Sequence, residues 1–129
     1  MDWITEHIAV GSFIDAQHAD PDDVDAILCL IADCCDEDDV RFDVLNLPLV
    51  DGPGNDSRRV HEALAFVHDA VSNGKRILVH CHAGRSRSVC IVVRYLMTYM
   101  GRPRQQAIAM VQAKHDIYLS PGIEEILAM

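Results

Sequence analysis

Two hydrophobic periods alternate along this chain. Residues 4–11, ITEHIAVG, mix apolar and β-branched positions and stop at Gly11, which predicts a strand. DAILCLIA (25–32) is a short apolar run between acidic clusters and predicts a buried strand. FDVLNLPLV (42–50) predicts another, with Pro48 bending or fraying it. RILVHC (76–81) is the most strand-like run of all. In SRRVHEALAFVHDAVSNG the period changes. Val60, Ala63, Leu64, Val67 and Val71 recur at helical spacing, Asp56 or Ser57 can cap the start, and Gly74 can end it. SVCIVVRYLMTYMG (88–101) has only Arg94 and Thr98 as clear polar positions, which predicts a helix buried on most sides. Pro103 opens a further helix with Ala107, Ile108 and Val111 on one face. SPGIEEILAM predicts a short last helix capped by Ser120, with Pro121 in its first turn.

Composition narrows the class. A chain of 129 residues, half of them apolar, fits one globular domain. No apolar run approaches the ~20 residues of a membrane span. The start, MDWITEHIAVGS, lacks a basic-then-apolar export pattern. Five cysteines, two of them adjacent at Cys34 and Cys35, lack framework spacing. Free thiols and a cytoplasmic location are therefore expected. The net charge of -9 repels nucleic acid and anionic membranes, so neither is expected as a partner. Any anion must be held by a local site. The acidic stretch DCCDEDD (33–39) reads as a solvated loop.

One segment runs against the acidic balance. HCHAGRSRS (80–88) puts two arginines and a thiol between the most strand-like run and the most apolar helix. A loop there offers backbone N–H groups and the positive end of a helix dipole, which together form an anion cradle. Gly84 allows a tight turn, Ser88 begins the helix, and Arg87 can hold two phosphate oxygens at once. The thiolate rather than the thiol is the nucleophile. A helix terminus alone contributes only ~0.3–1 kcal/mol toward holding that charge. Several N–H donors and a nearby cation are needed, and a loop that curls Arg87 back over Cys81 supplies both. Alone, Cys81 would read as a small buried hydrophobe; beside Gly84, Arg87 and Ser88 it reads as a nucleophile. A metal at His80 and His82 is not expected. Alternate residues of a strand share a face, Cys81 takes the other, and no CxxC or HxxxH pair accompanies them.

The run VHCHAGRSRS resembles the signature of the cysteine-based protein tyrosine phosphatase superfamily, in the form used by its dual-specificity branch. HIAVGS (7–12), LPLVD (47–51), RYLM (94–97) and AIAMVQAKHDIYLSP (107–121) are similar to other segments of that branch, so the resemblance covers nearly the whole chain. It implies an α/β fold: a single catalytic domain over 1–129, with a central mostly parallel sheet of four to five strands flanked by helices. It also implies roles. Cys81 attacks phosphorus, and Arg87 with the loop of His82, Ala83, Gly84, Arg85 and Ser86 binds the equatorial oxygens. Ser88 donates to the sulfur, His80 supports the loop, and Asp51 is the general acid. Asp56 is the rival acid, but it sits where a helix cap is expected. Arg58 and Arg59 read as a solvated first turn.

No metal or cofactor is implied, because arginine and the N–H groups do the electrostatic work. The expected partner is a phosphorylated protein or peptide, hydrolysed by a monomer. The absence of an extra wall-building segment suggests a shallow pocket open to phosphotyrosine and to phosphoserine and phosphothreonine. The basic pair His82 and Arg85 keeps phosphoinositides or other non-protein monoesters open. Turnover is favoured over mere phosphate binding and over sulfur transfer, because thiol, arginine and acid are all present. Gly122 stands where many relatives have Asn, so any loop-bracing by that side chain must come from elsewhere. Cys90 is expected in the core. Cys29, Cys34 and Cys35 read as packing or loop residues rather than as disulfide partners for Cys81.

Overall fold

The computed structural model describes residues 1–32 and 35–129. Its elements in chain order are β1 (Asp2–Trp3), β2 (Ile8–Gly11), α1 (Phe13–Gln17), β3 (Ala26–Cys29), β4 (Asp43–Asn46), α2 (Ser57–Ser72), β5 (Ile77–His80), α3 (Arg87–Met100) and α4 (Arg104–Gln112), followed by a 3-10 segment, Ile123–Ala128. Among the described residues the strands form one sheet in the order β1-β2-β5-β3-β4. β5 is central and parallel to both neighbours, and only the edge strand β1 runs antiparallel. This is the mostly parallel α/β architecture expected from the sequence.

The alternation of side chains sorts each strand between two layers. Ile8, Val10, Ala26, Leu28, Ile77 and Val79 join the main core beneath α2, α3 and α4. Ala9, Ile27 and Leu78 face the other way, into a smaller cluster with Val24 and Phe42. The helical spacing of α2 buries Val60, Ala63, Leu64, Val67 and Ala70. α3 buries eight residues, including Cys90, as its nearly unbroken apolar sequence requires. Each fully buried Val or Leu stabilises the fold by about 1.5–3 kcal/mol relative to exposure.

Several boundaries differ from expectation. The predicted strand 4–11 is a hairpin, because Thr5 turns the chain: its Oγ1 accepts from the N–H groups of His7 (3.2 Å) and Ile8 (3.0 Å). β1 and the short helix α1 were not expected. α1 is held by a capping box in which Ser12 and Asp15 each accept from the other's backbone, at 2.8 and 3.2 Å. The run 42–50 is regular only to Asn46 and reaches Leu49 as extended chain. Ser120 is not a helix cap. The last segment begins after Gly122, and the Ser120 N–H instead donates to the Ser86 hydroxyl at 3.0 Å. Asp36, Glu37 and Asp38 are exposed, in keeping with a solvated loop; Asp33 and Cys34 lie outside the described residues. Cys81 and Cys90 are free thiols, but Cys29 is disulfide-bonded, which corrects the expectation of free thiols at that position. Cys29 ends β3, and the loop that follows brings the Cys35 sulfur within 4.8 Å of its own.

Candidate active site

Cys81 follows the last residue of the central strand, where Gly11 of β2 and Cys29 of β3 pair with His80 at the same level. This is the carboxyl-end crevice of a parallel sheet, where such folds place ligands. The Cys81 thiol is buried and lies 3.3 Å from the hydroxyl of Ser88, which is buried in the first turn of α3. With the sulfur ionised, that hydroxyl can only donate to it.

The loop from His82 to Ser86 is turned inside out by contacts from behind. The carbonyls of His82 and Arg85 accept from the N–H groups of Phe13 and Tyr118, each at 3.0 Å. The Gly84 carbonyl accepts from Nε2 of His115. The other ring nitrogen, Nδ1, meets a carboxylate oxygen of Asp2 at 2.7 Å. With these carbonyls engaged outward, the N–H groups of His82 to Arg87 have no acceptor among the described residues. Gly84 is required twice over. Its φ is 76°, and a Cβ there would stand 2.6 Å from the Gly11 carbonyl oxygen.

Arg87 begins α3 and folds back over the cleft, its Nη1 donating to the Leu49 carbonyl at 3.3 Å. Its Nε is buried with no partner among the described residues, a costly state unless an anion fills it. Arg85 lines the same cavity as Cys81 but is exposed, and it pairs with Asp116 at 3.4 Å. His80 is wholly buried. Its Nδ1 faces the Cys81 carbonyl at 3.1 Å, so that nitrogen carries the hydrogen and Nε2 is the lone-pair side. Burial pushes the His80 pKa down, opposed by that carbonyl, and the neutral ring serves as a brace. Burial drives the Cys90 thiol up to about 12, leaving it inert.

Asp51 is exposed and lines the same cavity of about 240 Å³ as Cys81, His82, Arg87, Tyr118 and Ser120. Asp56 is elsewhere, accepting from the Arg58 N–H at 2.9 Å as the cap of α2. Arg58 and Arg59 are exposed in the first turn of α2, as expected, and Arg59 also donates to the Pro48 carbonyl at 2.9 Å.

The segment carrying Asp51 is pinned by Asn55, a residue that no sequence pattern singles out. The Asn55 amide accepts from the Val50 N–H (2.7 Å) and donates to the carbonyls of Val50 (2.9 Å) and Gly52 (3.2 Å). A second tie runs from the Gly54 N–H to Glu125 at 2.5 Å. Gly122 has φ 87°, and a Cβ there would meet Pro53 at 2.7 Å. The glycine therefore admits Pro53, while Asn55 provides the bracing.

The sequence profile of the family described as "Dual specificity phosphatase, catalytic domain" matches residues 10–126. Among curated relatives, Dual specificity protein phosphatase 22-A of Danio rerio is 30% identical over 116 residues, 88% of this chain and 56% of that protein. Dual specificity protein phosphatase 1B of Arabidopsis thaliana is 42% identical over 62 residues, 47% of this chain and 37% of that protein. The chain thus spans about half or less of the length of these relatives. Among solved structures, human DUSP28 superimposes with a TM-score of 0.86 at 23% identity, covering 98% of this chain and 89% of that one. PTPMT1 superimposes with 0.80 at 20% identity, covering 98% and 90%.

Proposed function

The chain belongs to the dual specificity phosphatase catalytic-domain family, and from that premise we propose that it hydrolyses phosphate monoesters of tyrosine and of serine and threonine in proteins. The carrying observation is the loop's polarity. The carbonyls of His82, Gly84 and Arg85 are tied outward, the N–H groups of His82 to Arg87 and the Arg87 Nε have no partner among the described residues, and His82, Ala83, Arg85, Ser86 and Arg87 line one cavity with Cys81. An oxyanion is the group that fits such donors.

In the proposed reaction the Cys81 thiolate attacks phosphorus as the P–O bond to the leaving group breaks. Asp51 gives its proton to the departing oxygen. The loop and Arg87 hold the three equatorial oxygens, whose charge is spread in the transition state. Asp51, now a carboxylate, takes a proton from water as that water attacks phosphorus and the P–S bond breaks. The Ser88 hydroxyl donates to the departing sulfur. No metal takes part in these steps; the protein's own cation and dipoles supply the electrostatics.

The substrate class is read from the cleft. Asp51, Tyr118 and Ser120 form its sides, and Tyr118 is itself exposed, so the cavity is open rather than a deep slot. That suits both long and short phosphorylated side chains. The basic pair considered for phosphoinositides is partly neutralised, since Arg85 faces Asp116. The test is steady-state hydrolysis of matched phosphotyrosine, phosphoserine and phosphothreonine peptides beside short-chain phosphoinositides. The reading expects turnover of all three peptides within about two orders of magnitude. Activity on phosphoinositides with none on any peptide would replace it with the lipid class.

A further inference from the structure

On the sheet face away from the Cys81 sulfur, a second group of donors converges. Cys29 and His80 are paired across β3 and β5, so their side chains leave the same face of the sheet side by side. Cys35, in the loop after β3, returns over them. The sulfurs of Cys29 and Cys35 and a ring nitrogen of His80 lie within 4.8 Å of one another.

Three features distinguish this group from ordinary packing. First, the His80 tautomer is the one a metal takes. Nδ1–H points at the Cys81 carbonyl, and Nε2 faces Cys35 Sγ at 3.3 Å. Ligating histidines characteristically give their other N–H to a carbonyl or carboxylate. Second, the spacing suits a tetrahedral ion. Zn–S of about 2.3 Å and Zn–N of about 2.0–2.1 Å place sulfur and nitrogen about 3.6 Å apart, and 3.3 Å needs little adjustment. Third, there is an entry path. Cys35 lines a cavity of about 160 Å³ whose wall includes the exposed carboxylate of Asp36, together with Asp39 and Arg41, which are paired with each other.

We propose that the reduced protein binds one zinc ion through Cys29, Cys35 and His80, directly behind the phosphate-binding loop. Two thiolates and an imidazole form a donor set that suits zinc, and three protein ligands leave the fourth position for water or a further donor. Cys29 is disulfide-bonded in the structure, so zinc and the disulfide are alternatives. A dithiol reductant breaks the S–S bond of Cys29, is itself oxidised to its disulfide, and leaves Cys29 and its former partner as thiols carrying the two protons; Cys35 lies outside that bond. Zinc then displaces the protons of Cys29 and Cys35. The ion occupies Nε2 and leaves the Nδ1–H contact to the Cys81 carbonyl in place, so occupancy of the site bears on the loop through one ring. The sequence offered little sign of this site, because its ligands are 45 or more residues apart except for Cys29 and Cys35 and no short motif joins them.

The test uses the Cys81→Ser chain, which removes the catalytic thiol as a competing ligand. The protein is reduced with a phosphine, titrated anaerobically with Co²⁺, and then with Zn²⁺. The expected result is one equivalent of bound Co²⁺ with the near-ultraviolet thiolate charge-transfer band and visible bands of tetrahedral cobalt, displaced by zinc. Adding Cys35→Ser should weaken binding by about a hundredfold or more, since even outer-shell partners of a metal are worth 10–100-fold; adding Cys90→Ser should leave binding unchanged. Zinc-edge X-ray absorption of the Cys81→Ser protein reads the ligands without further substitution, and at least two sulfurs and one imidazole are expected. Failure to bind Co²⁺ after reduction, a shell of oxygen and nitrogen alone, or an unchanged thiolate band in a folded Cys35→Ser variant would overturn the proposal. None of these readouts depends on turnover, so the phosphatase reading stands or falls separately.

Discussion

At the scale of single residues, the account rests on how few atoms must be placed and how tightly they are placed. Cys81→Ser should retain the fold and lose measurable turnover, because an alcohol does not ionise near neutral pH; near-normal steady-state rates would contradict it. Gly84→Ala tests the loop. The substitution strains a backbone at φ 76° and drives a methyl toward the Gly11 carbonyl. A strained residue of this kind costs about 1–3 kcal/mol. A shift of about 1 Å in the N–H donors should cost about a hundredfold in kcat. Circular dichroism showing a folded variant with unaltered kcat would show that the loop tolerates movement. Asp51→Asn should slow hydrolysis of alkyl phosphates far more than that of aryl phosphates with acidic leaving groups, which need little protonation. If Asp56→Asn gives that pattern and Asp51→Asn does not, the acid has been misassigned.

At the scale of elements, the strands position the site and the loops between them tune it. Asn55 links both ends of the segment that carries Asp51, through three hydrogen bonds. Asn55→Ala should release that segment and lower the rate on alkyl phosphates about tenfold, with little change on activated aryl esters. Equal losses on both would indicate general unfolding instead. The start of β3 is tied to β5 by Asp25, whose carboxylate accepts from the backbone (2.8 Å) and guanidinium of Arg76. The Arg76 side chain, then its backbone N–H, holds the Asp25 carboxyl below the usual carboxylate range. A folded-state pKa depressed below the unfolded value of about 3.9 gives stability that is present above that pH and lost as pH falls through the folded value. Asp25→Asn should therefore unfold at lower temperature than the wild type at pH 7, and the gap should close as pH is lowered from about 4 toward 2. A gap independent of pH would mean that the charge is not involved.

The long periodic elements were legible in the sequence because burial of one face imposes a period on many residues at once. α2 is of this kind, whereas α3 and the three internal strands are buried on most sides and show instead as nearly unbroken apolar runs. β1 and α1 are too short to show a period, and what fixes them is local side-chain chemistry at Thr5 and at the Ser12–Asp15 pair. That pair follows the Ser-x-x-acid pattern of a capping box, a signal available in the sequence.

At the scale of the whole molecule, the sheet separates two regions with different chemistry. One face carries the large core and the Cys81 sulfur; the other carries the small cluster, Cys35 and the His80 ring. Cys35 and Cys81 thus belong to opposite faces, which gives the catalytic sulfur no ready thiol partner in Cys35. The proposed catalytic loop lies within nine consecutive residues, so its candidate nucleophile, cradle and cation stand together in the sequence. Its supports do not: His115 and Tyr118 reach Gly84 and Arg85 only through tertiary packing, and the contacts of Asn55 to Val50 and Gly52 within its own loop follow no periodic pattern.

The central claim is that phosphate passes through the Cys81 sulfur. Its most direct test is mass spectrometry of protein quenched in acid during turnover of an aryl phosphate, using Ser88→Ala to slow the departure of sulfur. The expected result is a phosphoryl adduct on the peptide containing Cys81, rising within the first turnover and absent from Cys81→Ser. Turnover with no adduct on that peptide, or an adduct on another residue, would contradict the mechanism.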